Sequence, residues 1–309
     1  MARWNEGKRE TVEPSREQET DFAALLDSVR GIRWPARTAV RGGIPGAHTS
    51  RMRGISAEFT EYRPYRQGDD LGRIDWKLFA RSDRAYIRLS NDRAILPTTI
   101  VLDASASMAF PVETRAKWKF ATEIAIGLAA VGRSSADPVG LVIAREGASV
   151  QLPPRTRMSV IHEMIRTVSG IEPGGSESIS YSFDAAARVS GRIVLITDFL
   201  GDASDLLGNA ARAIVGSKEV HALHVVAPEE LDPPRGLQLV SDPESPDVRR
   251  PLNADARDAY DDAFATWRDT ISHDWSDAGV AYTMTVVGQE SPDHLIRRIT
   301  APRGVAATA

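Results

Sequence analysis

Asp103, Ser105 and Ser107 stand in steps of two within TTIVLDASASMAF, residues 98–110. An apolar run that ends in an acid and is followed by two hydroxyls admits three readings. It can start a turn, cap a helix, or present three oxygens to a hard cation. A second Val/Ile-rich run, RIVLITD (192–198), ends in Asp198. A glycine turn, EPGGSESIS (172–180), carries Ser176 and Ser178 into a helical stretch. Each piece alone is common. Together they are the parts of an oxygen-only site: two carboxylates that repel unless a proton or cation lies between them, and neutral hydroxyls to fill the shell. Such a ligand set suits Mg²⁺, Mn²⁺ or Ca²⁺.

Bringing together residues 95 positions apart requires a particular scaffold. After residue 97, short Val/Ile-rich runs alternate with helical stretches. TTIVLD (98–103), VGLVIA (139–144), RIVLITD (192–198), VHALHVVA (220–227) and AYTMTVV (281–287) read as strands. Helices are predicted at about 115–132, 156–169, 178–190, 203–215 and 253–277, with one more at the end, and ASVQLP (148–153) as a hairpin partner of 139–144. The helix after Ser107 is apolar nearly all round beyond residue 120, which predicts deep burial. The fold class that follows is α/β, a doubly wound, mainly parallel sheet with both faces covered. Ligands of such sheets bind beyond the carboxyl ends of the strands, where Asp103 and Asp198 fall.

The chain has 309 residues, 26% of them charged, and no cysteine, so disulfide, zinc–thiolate and thiol chemistry are excluded. The first residues are polar without an apolar signal core, and no apolar run approaches the ~20 residues of a membrane helix. A cytoplasmic protein without a membrane span is expected. Charge is uneven. Residues 1–29 carry a net −3, residues 30–93 carry 14 basic and 7 acidic side chains, and residues 94–309 carry a net −8. Acids interspersed among the arginines favour internal complementarity over a nucleic-acid surface for the basic segment. The predicted organisation is a disordered tail (1–18), an N-terminal helix with an arginine-rich, partly β segment (19–97), the α/β domain (98–300) and a short tail (301–309). Residues 30–54 read as irregular.

These residues carry two resemblances. DASAS after the first strand, the glycine turn with its hydroxyl, and Asp198 after a central strand resemble a von Willebrand factor A domain and its metal-ion-dependent adhesion site (MIDAS). The resemblance implies metal ligation by Asp103, Ser105, Ser107, Ser176 and Asp198, with serine at 176 where the family usually has threonine. It implies a cation-dependent binding module that accepts a partner's Asp or Glu. Upstream, RGISAEFTEYRPYRQGDDLGRIDWKLFARSDRAYIRLSNDR (53–93) is similar to the signature of the bacterial family called Domain of Unknown Function fifty-eight. That likeness implies a MoxR-type AAA+ ATPase as partner and a role in assembling or activating other proteins. Many relatives carry membrane helices ahead of the signature, and this chain shows none.

Within the signature, Asp69, Asp70, Asp75 and Asp83 lie among Arg66, Arg73, Lys77, Arg81 and Arg84, an expected ion-pair network. Trp76 and Phe79 are expected to anchor the segment on the main sheet, and a docking face is the alternative. A second function for the strand-end acids is Mg²⁺-dependent hydrolysis or phosphoryl transfer. Against it, Ser105 stands where haloacid-dehalogenase-type phosphatases place a second aspartate. The three candidate loops hold no His or Lys to act as a base, and no Walker-type phosphate loop is present. His221 and His224 point to opposite faces of one strand and cannot pair as ligands. Trp267 and Trp275 read as core or groove contacts.

Overall fold

The computed structural model describes residues 16–36, 45–49, 59–66, 69, 74–90, 93–147, 149–201, 203–233, 239–241, 249–251 and 253–302. In chain order the elements begin with α1 (Arg16–Ser28), β1 (Pro45–Thr49), β2 (Phe59–Pro64), α2 (Trp76–Ser82), β3 (Tyr86–Ser90) and β4 (Arg93–Ala94). They continue with β5 (Thr98–Asp103), a 3₁₀ turn (Ala106–Ala109), α3 (Ala116–Ser134), β6 (Val139–Ala144), β7 (Val150–Arg155), α4 (Val160–Ser169) and α5 (Ser180–Val189). Then follow β8 (Arg192–Thr197), α6 (Ala203–Val215), β9 (Glu219–Val226) and α7 (Pro228–Leu231). The last are β10 (Leu239–Ser241), β11 (Arg249–Pro251), α8 (Ala254–Asp277), β12 (Ala281–Val286) and α9 (Pro292–Thr300).

Six strands form the main sheet in the order β12-β9-β8-β5-β6-β7. Adjacent strands are parallel except β7, which pairs antiparallel with β6 as the expected hairpin. Strand alternation decides which face each side chain covers. Ile100 and Leu102 of β5, Val194 and Ile196 of β8, and Leu223 and Val225 of β9 join one core, filled from the helix side by Ile124, Met164 and Leu295. Val101, Ile193, Leu195, Val220 and Ala222 join the other, with Phe183, Leu206 and Trp275. The sheet is therefore covered on both faces, as its apolar strands require. His221 meets Trp34 on the first face, while His224 meets Phe199 and Trp267 on the second, as their spacing of three demands.

The N-terminal region departs from the sequence reading in several places. Helix α1 begins at Arg16, so residues 16–18 are helical rather than tail, and the remaining predicted tails, 1–15 and 303–309, lie outside the described residues. Phe22, Leu25, Val29 and Trp34 share the core of the α/β domain, so α1 is part of its packing. Trp34 lies 4.2 Å under the guanidinium of the buried Arg192, which also bonds Glu219 at 3.0 Å. β1 falls in the stretch read as irregular and pairs antiparallel with β4. Its sequence, PGAHT, has no alternation to reveal it. The hairpin β10–β11 likewise falls in the polar loop.

β2 and β3 form a separate antiparallel ribbon. Asp75 caps α2 through the backbone N–H groups of Lys77 and Leu78 and also accepts from Tyr62 Oη at 2.8 Å. Asp69 of the predicted ion-pair network pairs at 2.8 Å with Arg63, which the prediction did not include, while Asp70 and Arg73 lie outside the described residues. Trp76 is 60% exposed and meets Phe79 edge-on, so it does not anchor the segment on the sheet. Among the described residues of this ribbon, Ile74 and Ile87 are buried, and α2 itself buries none.

Candidate functional site

Reading the sheet strands by position in the chain, successive strands run outward in one direction from β5 and in the other from β8. Their carboxyl ends thus flank the switch point, where the diverging crossovers leave room for a ligand. Asp103 ends β5 and Asp198 follows β8, and both are buried. The fold puts the two acids close enough to feel each other's charge. Burial first, and the Asp198 carboxylate second, push Asp103 up to about 6.

Asp103 is held on both oxygens. Oδ1 accepts the Ser105 N–H at 2.9 Å, and Oδ2 accepts the Thr197 hydroxyl at 2.5 Å. These use two of the roughly four acceptor positions of a carboxylate. Ser105 Oγ and Ser107 Oγ lie 3.0 Å apart. The glycine turn is docked on this loop by two backbone bonds, Ala106 N to Gly175 O at 2.9 Å and Gly174 N to Ala104 O at 2.8 Å. Gly175 takes φ +78°, and a Cβ there would lie 2.6 Å from Cβ of Glu146, so glycine is required where the turn passes. A cleft of about 110 Å³ opens over these groups, lined by Asp103, Ser105, Ser176, Ser178, Thr197 and Phe199 among others.

The predicted residues are therefore distributed unequally. Asp103, Ser105 and Ser176 face one cleft. Ser107 is buried and not part of the cleft lining, one hydrogen bond from Ser105. Ser178 also lines the cleft, but its Oγ accepts Ser180 N–H at 3.3 Å at the start of α5. Asp198 stands at the predicted edge but not in the cleft wall. Its Oδ1 accepts Leu200 N–H at 3.2 Å, and its Oδ2 is taken by Lys117 Nζ at 2.6 Å. Phe199, in the left-handed region at φ +60°, turns the chain after Asp198 and is held by edge contacts with Trp275 and His224.

Sequence reasoning missed Lys117, Thr197 and Glu230. Lys117 is fully buried in the first turn of α3 and bridges Asp198 to Glu230 Oε1, the latter at 2.8 Å. Burial opposes its charge, but the Asp198 and Glu230 carboxylates outweigh that and raise its pKa above the ordinary lysine value. The available signal was a lysine one residue before Trp118 at the start of an apolar helix. Thr197 was visible only as the last residue of a buried strand.

The lining fits a hard cation: it offers the carboxylates of Asp103 and Glu177 and neutral hydroxyls, and no sulfur or imidazole. Among the described residues, no group of three or more His, Cys, Asp or Glu gathers as a metal site, so a cation here draws on hydroxyls.

A doubly wound, mainly parallel sheet with a polar, acid-bearing rim at its switch point defines the class of protein as an open α/β fold. The chain belongs to the family described as "Protein of unknown function DUF58", whose model matches residues 61–270. It is 28% identical over 260 residues to the uncharacterized protein Rv1480 of Mycobacterium tuberculosis, covering 82% of this chain and 81% of the relative. The same identity and coverage relate it to the uncharacterized protein Mb1516 of Mycobacterium bovis. Among solved structures it is similar to the conserved hypothetical protein BatB from Bacteroides thetaiotaomicron, at TM-score 0.44 and 19% identity, over 66% of this chain and 96% of that one. A further similarity, at TM-score 0.35 and 14% identity, is to proximal thread matrix protein 1 from the mussel byssus with a zinc-occupied MIDAS motif. It covers 43% of this chain and 38% of that one. Among the described residues no helix is long and apolar enough to cross a membrane.

Proposed function

We propose that the chain is a divalent-cation-dependent protein-binding module. The observation that supports it most directly is the convergence of Asp103, Ser105 and Ser176, from two separate loops, on one cleft at the switch point. Asp103 and the hydroxyls would hold the ion, Mg²⁺ or else Mn²⁺ or Ca²⁺. The cation supplies an electrophilic centre for an incoming carboxylate, and neutral hydroxyl ligands leave more of its charge unspent. The protein's part is to keep the Asp103 carboxylate oriented through Ser105 and Thr197 and to hold the glycine turn in place.

Exposed apolar groups follow two of the cleft-lining residues in the chain. Tyr181, three residues after Ser178, is 69% exposed, and Leu200, next after Phe199, is 46% exposed. They offer contact area for a protein surface around a single polar anchor. By the family likeness, a MoxR-type AAA+ ATPase is the partner, and the module serves assembly or activation of other proteins in the cytoplasm. A hydrolytic role is disfavoured because Lys117 is engaged by two carboxylates and has its pKa raised, which suits a fixed cation rather than a base.

The test is co-purification with a MoxR-type ATPase encoded beside the gene, with Mg²⁺ or with chelator. A complex that needs Mg²⁺ and is lost in Asp103→Ala supports the reading. A complex that forms equally well with chelator and with Asp103→Ala overturns it. Turnover of generic phosphate esters abolished by Asp103→Asn would instead establish the hydrolase.

A further inference from the structure

Lys117 stands where a lysine is poorly suited on two counts. It is entirely buried, and it lies in the first turn of α3, where the helix dipole disfavours positive charge. Two carboxylates compensate. Asp198 Oδ2 is 2.6 Å from Nζ and Glu230 Oε1 is 2.8 Å away. Glu230 is itself fixed, because its Oε2 accepts Ala227 N–H at 2.6 Å at the start of α7, and its carbonyl accepts Tyr260 Oη of α8 at 2.9 Å. Asp103, Asp198 and Glu230, with Glu177 of the cleft lining, bring four negative charges to this edge and Lys117 one positive. The balance is negative and favours a cation.

Of the two strand-end acids, only Asp103 faces the cleft, and the other is turned into this ion-pair chain. We propose that Lys117 is a positioning residue for the cation site. It competes with the ion for Asp198, keeps that carboxylate out of the cleft, and so sets a low intrinsic cation affinity that an arriving partner carboxylate completes. Glu230 shares the ammonium and thereby governs how firmly Lys117 holds Asp198. This rests on the cation-site reading above.

The test is calorimetric titration of the full chain with Mn²⁺ and with Mg²⁺. Lys117→Met alone would leave buried carboxylates unpaired, so the informative variant is Lys117→Met with Glu230→Gln, which keeps the net charge of the wild type while releasing Asp198. Its cation affinity is expected to rise about tenfold, and adding Asp198→Asn is expected to cancel the gain. Glu230→Gln alone, a milder change, is expected to weaken cation binding severalfold, because Lys117 then bonds Asp198 without competition.

Affinity within twofold of the wild type in either the double variant or Glu230→Gln overturns the role of Lys117. If wild-type binding is nonetheless lost in Asp103→Asn, the cation site itself stands. If neither the wild type nor any variant binds Mn²⁺ or Mg²⁺, both the site and the role of Lys117 fall.

Discussion

The hydroxyl of Thr197 donates to Asp103 Oδ2 across 2.5 Å, tying the carboxyl end of β8 to that of β5 inside the protein. Thr197 Oγ1 also accepts the Phe199 N–H at 3.2 Å, so one side chain orients the carboxylate and fixes the turn beyond it. In Thr197→Val the shape is kept and both bonds are lost. Leaving a buried carboxylate short of a donor costs about 1–3 kcal/mol. Urea denaturation with chelator present should show a lower midpoint with an unchanged slope. A shift within experimental scatter would mean that the bond contributes nothing to the fold.

Gly175 should resist substitution more than any neighbour in its turn. Gly175→Ala combines a positive φ with a contact against Glu146, and a loss of at least ~1 kcal/mol follows from the backbone conformation alone. Glu146→Gly, which removes the colliding Cβ as well as the carboxylate, relieves the crowding but not the strain, so against Glu146→Gly alone the double variant should still lose stability. No loss relative to Glu146→Gly alone would show that crowding, not conformation, sets the requirement.

Two buried groups at the sheet edge respond to pH in opposite senses. His224 is pushed down to about 4, chiefly by burial, so its neutral form stabilises the fold above the ordinary histidine range and that stability is lost as pH falls from about 6.5 toward 4. Asp103 is pushed up to about 6, so its ionised form burdens the fold, and that burden is relieved as pH falls through about 6 toward 3.8. Compared under chelator, Asp103→Asn should lose stability on acidification across this window more steeply than His224→Gln. Equal pH slopes for the two variants would contradict both assignments.

The signature ribbon should separate into structural and surface residues. Ile87 is 2% exposed, and Ile87→Ala should cost about 2–4 kcal/mol of ribbon stability. Trp76→Ala, at an exposed position, should stay within about 0.5 kcal/mol of the wild type. Limited proteolysis within residues 59–90 would report both. If the tryptophan change proves the costlier one, the ribbon packs differently from the arrangement described.

The scaffold and half of the site were legible because their signals are local. The unbroken apolar run of Ile100, Val101 and Leu102 marks a strand buried on both faces, and Asp103 and Ser105 follow at its end without reference to the rest of the chain. β1 and the β10–β11 hairpin were not legible, since short pairs without alternating residues look like loop. Trp76 was misjudged because an aromatic side chain reads as an anchor until its surroundings are known. Nor does any local pattern announce that Lys117 meets Asp198, 81 positions away, or that Thr197 meets Asp103. Sequence alone determined which residues could supply oxygen to a cation, through their type and their place at strand ends. Only the tertiary structure decided which of those carboxylates is free to do so, because a buried charge takes whichever opposite charge the packing brings beside it.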